Sequence, residues 1–458
     1  MKQVLNYVFI NNQGSHIIYD YENNIIYNTF SQENSDLMFG LLSKGLIPDT
    51  LNTRQLEFYN ILNDRKIEPK NFSSYELLAS ADNVRGVTLM LAQDCNLRCS
   101  YCYGQEGNYN DTPQLMSKKT AEEAINYLVN RSKGNELLQV TFFGGEPLLN
   151  FDVLKHVVLI CEKFKNKKFH FSITTNGTLL SGEIVDFFKK IPISIMVSLD
   201  GEKTIHDKHR KYANGKGTHN DVINAINLLK ENNLSFALRA TFDHEYVSLM
   251  EHNIDYMFGL GATNAYISRL SNYDIDSNEF DINVKDIFTE WQYRIDYFNR
   301  TIAKILNGEI PKYIPFYNLF DRLINATTDM IGCGIFKSST TVSCDGSLYP
   351  CHRFVGIEGF QYGHIKTGVK TEKLKTLCNN FDSVSTKCVN CFAKYICKRA
   401  CARDIAKNNG FFITYDENYC NIMKEAISIV ILAYYKIRNS NPSALEKITR
   451  QQPTVQTI

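Results

Sequence analysis

The stretch GVTLMLAQDCNLRCSYCYG, residues 86–104, decides how the rest of the chain is read. Residues 86–92 are an apolar run of strand length. Just beyond it come Cys95, Cys99 and Cys102, spaced C-x3-C-x2-C. A tetrahedral zinc site takes four protein ligands, usually arriving as two pairs. A disulfide framework takes an even number of cysteines and an oxidising compartment. Iron–sulfur cubanes take four thiolates when fully ligated, so three leave one iron free for a substrate or cofactor. A zinc knuckle that borrows a distant fourth ligand is the other reading.

Outward from that stretch, residues 84 to about 270 alternate between strand and helix patterns. Strands are expected at 86–92, 138–143, 169–174, 193–199, 235–241 and 265–269, with helices near 117–132, 151–165, 181–190, 219–231 and 247–258. Such alternation implies parallel βαβ units, and six units are too few to close an eight-stranded barrel, so a partial (β/α)6 barrel is expected. The candidate site residues fall at the strand ends, where barrels of this kind carry their chemistry. Cys95 follows the first strand, Gly144, Gly145, Glu146 and Pro147 the second, and Asn176 with Gly177 the third. Ser198 and Asp200 end the fourth, Arg239 lies near the end of the fifth, and Arg269 ends the sixth. Glycines at 144–145 allow close backbone approach, and Glu146 can accept hydrogen bonds from an ammonium group. Tyr101 either lays its ring on a purine or packs in the core. His206 and Arg210, in IHDKHR, are either site rim or helix-start surface.

Residues 1–83 read as a separate α+β unit: a hairpin over 16–28 turning at Glu22-Asn23-Asn24, then helices near 32–42 and 51–63 and a third near 75–79. This is compatible with a winged-helix-like module or with a cap on the next domain. The 458 residues suffice for two or three domains. A net charge of +1 gives no electrostatic reason to expect nucleic acid or an anionic membrane. Neither a signal peptide nor a run of eighteen apolar residues is present, so a cytoplasmic protein without a membrane span is expected.

The thirteen cysteines point to metal rather than disulfides in that compartment. Nine of them fall between Cys333 and Cys420. CVNCFAKYICKRAC supplies Cys388, Cys391, Cys397 and Cys401, with Cys420 beyond; upstream are Cys333, Cys344 and Cys351. SCDGSLYPC reads as a hairpin with an Asp-Gly turn. Two four-thiolate sites can be built from these eight, with zinc or iron. Cys161 and Cys378 read as free structural thiols.

The cysteine loop, GGEP, TTNG and SLDG together closely resemble the radical S-adenosylmethionine (SAM) enzymes. The resemblance implies that Cys95, Cys99 and Cys102 hold a [4Fe–4S] cluster whose free iron chelates SAM. It also implies one-electron cleavage of SAM to a 5′-deoxyadenosyl radical. Glu146 would then meet the methionine ammonium, Ser198 and Asp200 the ribose, and Arg239 the SAM carboxylate. The C-terminal spacing resembles the SPASM extension of peptide-modifying radical SAM enzymes. Carried over, Cys333, Cys351 and Cys401 would ligate a first auxiliary cluster, and Cys388, Cys391, Cys397 and Cys420 a second, making three [4Fe–4S] clusters. Cys344 would complete the first auxiliary set, or else leave it with an open iron. The implied layout is 1–83 module, 84–310 partial barrel, 311–430 SPASM domain and 431–458 helix and tail. Within SPASM proteins the motifs most resemble maturases that make cysteine thioethers in ribosomal precursor peptides. That implies a precursor peptide whose leader binds the N-terminal module by strand addition, and an electron donor such as flavodoxin or ferredoxin. Deleting residues 1–83 would then cost leader-dependent modification and spare uncoupled SAM cleavage. Carbon–carbon cross-linking, anaerobic sulfatase maturation, and a non-catalytic zinc or electron-transfer protein are the alternatives.

Overall fold

The computed structural model describes the chain apart from residues 13, 45–50, 66–83, 110, 133, 243, 270–283, 327–332, 334, 337, 385, 398, 400, 415–416 and 452–458. Its first elements are an antiparallel meander, β1 (Lys2–Val4), β2 (Tyr7–Asn12), β3 (Ser15–Asp20) and β4 (Ile25–Asn28), then α1 (Gln32–Lys44) and α2 (Thr53–Asp64). The expected hairpin is β3–β4, and Asn24 takes the left-handed conformation its turn requires (φ 53°). Asn52 and Gln55 form a reciprocal capping box at the start of α2. Side chains alternate across a strand, so Tyr7, Phe9 and Ile18 face Met38, Leu41, Tyr59 and Leu62 of the two helices. The third helix expected near 75–79 lies outside the described residues.

The middle of the chain is six parallel strands: β5 (Gly86–Gln93), β7 (Leu137–Gly144), β8 (Lys168–Thr175), β9 (Ile193–Ser198), β10 (Phe236–Phe242) and β11 (Asn264–Arg269). They lie side by side in chain order, and a short β6 (Gln114–Leu115) pairs with β5. Between them run α3 (Lys118–Asn130), α4 (Phe151–Cys161), α5 (Gly182–Phe188), α6 (Lys203–His209), α7 (His219–Glu231) and α8 (Met250–Gly259). The strands are apolar because helices cover them: Leu89, Val140, Phe142, Ile173 and Val197 pack with Ile125, Leu154, Val185 and Ile226. Among the described residues the sheet does not close, and β11 is its outer parallel strand.

Past β11 come α9 (Val284–Leu306), α10 (Tyr317–Ile324), β12 (Ser339–Val342), β13 (Ser347–Tyr349), β14 (Gly363–His364), β15 (Gly368–Val369), α11 (Thr371–Ser383), β16 (Ala406–Lys407), β17 (Phe411–Phe412), α12 (Glu417–Ser440) and α13 (Pro442–Gln451). β12 adds to the free side of β5 in parallel, Ser339 opposite Gly86, and returns through the Asp345-Gly346 turn as the antiparallel β13. The cysteine-rich part therefore continues the same sheet and lies beside the strand that leads to Cys95. The meander packs against the C-terminal helices as well. Its second face, Val8, Ile10, Ile17 and Tyr19, packs into one core with Phe298, Ile302, Phe320, Met423 and Ile427 of α9, α10 and α12. Both faces of the sheet are buried, which the reading of residues 1–83 as a separate unit does not provide for.

Candidate functional site

Cys95 leaves the end of β5 where the register of β5 against β7 shifts between Met90 and Ala92. The loop beyond is zipped onto the segment after α6. Arg98 N donates to Lys211 O at 2.7 Å, Ser100 N donates to His209 O at 3.1 Å, and Leu97 bridges Tyr212. Leu97 N and Asn176 Nδ2 donate to Cys95 Sγ at 3.4 and 3.8 Å. Burial pushes the Cys95 thiol up to about 12, with Glu146, Cys99 and Cys102 adding to the rise. Burial also raises Cys99, against the nearby Arg210 guanidinium, which lowers it.

All three cysteines line one cavity of about 420 Å3. Of the other predicted site residues, Tyr101, Gly144, Gly145, Asn176, Ser198 and Arg239 line it as well. The glycines are there because the backbone of β7 crosses that of β5 too closely for side chains. A Cβ on Gly144 (φ 142°) would stand 2.1 Å from Ala92 O, and one on Gly145 2.2 Å from Asp94 O. Pro147 is buried and opens the short turn after Glu146. The side chain of Arg269 lies outside what is described.

Two predicted ligand contacts are arranged otherwise. Glu146 is fully buried and absent from the cavity wall; its carboxylate accepts from Leu148 N (3.0 Å), Thr175 Oγ1 (2.8 Å) and Asn176 N (2.7 Å). Burial pushes it up to about 7 despite those three donors. It ties the β7 turn to the β8 turn, and the backbone of Gly144 and Gly145 faces the cavity in its place. Asp200 is likewise committed: it accepts from the Tyr101 hydroxyl, from Arg210 Nε at 2.9 Å and from Thr241 N at 2.9 Å. Tyr101 packs against His209, centroids 5.2 Å apart, with the Arg210 guanidinium 5.4 Å from its ring. His206 is buried rather than on the rim. Asp200 N donates to its Nδ1 at 3.3 Å and its Nε2 meets Thr218 Oγ1 at 3.0 Å; burial, then Arg210, hold its pKa down at about 3.

The opposite wall was not legible as site. His352, Arg353 and Asp404 line the cavity together with Tyr103, Tyr109 and Phe143. His352 packs at a tilt against Phe143, centroids 4.2 Å apart, and Arg353 donates to Cys401 Sγ at 2.9 Å and pairs with Asp404 at 3.3 Å. Burial, and the positive charges of Arg353 and Arg210, hold Arg239 below the usual arginine value, so three guanidinium groups gather here. The signal available in the sequence was adjacency: His352 and Arg353 directly follow Cys351.

The remaining cysteines fall into two groups. The Cys351 thiol is raised by burial and then by its neighbours Cys401 and Cys333. Cys388 and Cys397 are raised by burial first, and each also feels Cys391 and Cys420. Cys344 joins neither. Its buried thiol donates to Met90 O at 3.0 Å and its amide donates to Gln93 Oε1 at 3.0 Å, which turns it toward the end of β5. Cys161 and Cys378 are buried in α4 and α11. Among the described residues no three His, Cys, Asp or Glu side chains converge on a single-ion site; ligands of a cubane bind separate irons and need not converge on one point. The thiols at the cavity are free, half-buried on one wall and faced by cations, a donor set that fits an anionic cluster with one open side. Among the described residues no helix is long and apolar enough to cross a membrane.

Comparison with known proteins bears on this arrangement. Residues 89–246 match the Radical SAM superfamily. An uncharacterized protein of Methanocaldococcus jannaschii is 32% identical over 182 residues, 40% of this chain and 61% of that protein, so the match spans less than two thirds of that relative. A cysteine-type anaerobic sulfatase-maturating enzyme of Clostridium novyi is 26% identical over 73% of this chain and 91% of its own. The radical SAM cyclopropyl synthase TigE of Paramaledivibacter caminithermalis is 24% identical over 89% of this chain and 85% of its own. Two solved structures share the fold: anSMEcpe with bound AdoMet (TM-score 0.65, 22% identity, 77% of this chain and 99% of that one) and Streptococcus suis SuiB bound to precursor peptide SuiA (TM-score 0.51, 15% identity, 91% and 99%). The stretch from 89 to 246, which holds the three-cysteine loop and the ends of β5 to β10, is a radical SAM domain.

Proposed function

We propose that the chain is a radical SAM maturase that cross-links a cysteine of a ribosomal precursor peptide through a thioether. Cys95, Cys99 and Cys102 would hold the SAM-binding [4Fe–4S] cluster, with Ser198, Asn176, Arg239 and the Gly144–Gly145 backbone around SAM. Bound there, SAM supplies on one-electron reduction the 5′-deoxyadenosyl radical that takes a hydrogen atom from the peptide. Cys333, Cys351 and Cys401 would hold a first auxiliary cluster, open at one iron because Cys344 is turned away, and Cys388, Cys391, Cys397 and Cys420 a second. In net terms a C–H and an S–H bond are lost and a C–S bond forms. The peptide gives up one hydrogen atom, one proton and one electron, the electron passing to an auxiliary cluster.

The observation that carries this reading is the single cavity: one wall is the three-cysteine loop, and the other is His352 and Arg353 beside Cys351 and Cys401. A peptide held there would lie between the three-cysteine loop and the His352 and Arg353 side chains that contact Cys351 and Cys401. Arg239 and Arg353 present cations to a peptide or SAM carboxylate, and Tyr103, Tyr109 and Phe143 exclude water from the reacting atoms. The meander offers β4 as an edge strand for a leader, and SuiB, solved with its precursor peptide, supports a partner of that class.

Sulfatase maturation is the second reading, favoured by the TM-score to anSMEcpe. The test is the mass of a cysteine-containing peptide encoded beside the gene, incubated anaerobically with reconstituted enzyme, reductant and SAM. Loss of two hydrogens with the cysteine no longer alkylatable is expected. An unchanged mass despite deoxyadenosine release would remove the support for a peptide maturase, and two hydrogens lost with every cysteine still alkylatable would mean a carbon–carbon link or oxidation of one residue.

A further inference from the structure

The loop that presents Cys388, Cys391 and Cys397 is held from two sides. Within it, Cys391 N donates to Cys388 O at 3.1 Å, Lys394 N donates to Cys391 O at 3.1 Å, and Cys397 N donates to Ala393 O at 2.7 Å. From outside it is held by the N-terminal meander. Gln3 of β1 donates its Nε2 to Asn390 O at 2.6 Å and accepts from Phe392 N at 3.4 Å. Glu22, in the β3–β4 turn, accepts from Lys394 Nζ through one carboxylate oxygen and from the Tyr395 hydroxyl through the other at 2.8 Å. Lys394 Nζ also donates to Val389 O at 3.2 Å, and its ammonium lies 5.4 Å from the Tyr21 ring and 4.8 Å from that of Tyr395. The side chains of Lys394 and Glu22 are 0% and 5% exposed.

A buried ion pair adds little net stability over an apolar pair of the same volume. Apolar contacts already join the meander to α9, α10 and α12, so adhesion does not require this pair. What it does provide is a fixed charge pattern in the loop between Cys391 and Cys397, and amide contacts at Asn390 and Phe392 on either side of Cys391. Outer-shell groups of this kind orient ligands and tune the metal they bind.

We propose that Gln3 and Glu22 of the N-terminal meander are positioning residues for the Cys388, Cys391, Cys397 and Cys420 set, fixing through Asn390, Phe392 and Lys394 the loop that presents three of its four thiolates and so setting the reduction potential of the cluster held there. This rests on the reading that these four thiols hold a [4Fe–4S] cluster. The module read as a leader-binding element is thereby also part of the shell of an electron-accepting centre, though the two lie at opposite ends of the sequence.

The experiment is an EPR-monitored redox titration of the reconstituted full chain, with iron counted per chain. SAM identifies the cavity cluster by perturbing its signal, leaving the auxiliary signals to be followed. Glu22→Gln removes a negative charge beside the loop and is expected to raise the midpoint of one SAM-insensitive signal, leaving the SAM-sensitive one in place. Lys394→Met is expected to lower the same midpoint, and Gln3→Ala to reduce the iron retained by that set. Because Glu22→Gln strands a buried lysine and can impair folding, the paired variant Glu22→Gln with Lys394→Met removes both charges together; its midpoint should return toward the parent value. Midpoints and iron content equal to the parent in Gln3→Ala and in Lys394→Met would overturn the positioning role. Iron content unaffected when Cys388, Cys391 and Cys397 are replaced together by alanine would overturn the cluster reading instead.

Discussion

Gly144 and Gly145 sit where the end of β7 meets the loop that carries Cys95, and there is no room for a methyl group on either. A Cβ at Gly145 would press on the carbonyl of Asp94, backbone that no rotamer change can move aside. Gly145→Ala should therefore lower stability by about 1–3 kcal/mol, as overpacking does, and displace the cysteine loop. Gly182 has open space around the same position and sits in α5, so Gly182→Ala should be neutral or slightly stabilising. Thermal melts of the two variants check the contrast. His206 gives a pH dependence of definite sign. Its folded pKa of about 3 lies below the ordinary histidine value of 6.5, because burial disfavours the charged ring. The unfolded chain takes up a proton first as pH falls, so stability is full above about 6.5 and drains away as pH drops toward 3. Melting temperatures of the metal-free protein at pH 7 and pH 5 should differ more for the parent than for His206→Gln. An equal difference in both would mean that the ring is not held neutral.

The elements were the most legible part of the sequence, and the direction of side chains at their ends the least. Parallel strands covered by helices are short, largely apolar runs closed by Gly, Asn or Asp, and each of the six parallel strands is found within two residues of its expected bounds. The Asp345-Gly346 hairpin was readable from its turn residues for the same local reason. A motif at a strand end tells that a residue is near the site, not which way it points. Glu146 and Asp200, expected on the ligand, brace in this structure the loops that bear Asn176, Tyr101 and Arg210. The orientation of Cys344 was not legible because it depends on β12 adding to β5, a pairing of residues about 250 apart in sequence. The same kind of distance hid the second face of the meander. Removing residues 1–83 would uncover Phe298, Phe320, Met423 and Ile427 on α9, α10 and α12, so the deletion should not spare SAM cleavage as the sequence alone suggested. It should yield a chain with a lowered melting temperature and increased binding of a hydrophobic dye. A deletion that melts like the parent would restore the view of a detachable module.

At the scale of the whole molecule, one extended sheet brings the cysteine sets into relation. The parallel strands supply the three-cysteine loop at their C-terminal ends, and β12 and β13 carry the chain past β5 to Cys351, so that His352 and Arg353 close the cavity from the other side. The N-terminal meander is packed against the helices behind the C-terminal cysteines and joined to their loop by Gln3 and Glu22. That a radical SAM domain stands at the centre was legible from four short motifs in order along the chain. That its cavity is closed by His352 and Arg353, next to Cys351, was not, since no local pattern encodes how the C-terminal part folds back. The most direct measurement is 5′-deoxyadenosine formed from SAM by the anaerobically reconstituted chain with a strong reductant, beside the variant in which Cys95, Cys99 and Cys102 are all alanine. The parent should release deoxyadenosine and the variant none, while the variant keeps iron on its C-terminal cysteines. Deoxyadenosine formed equally by both would mean that SAM is not cleaved at this loop, and the site described here would be the wrong one.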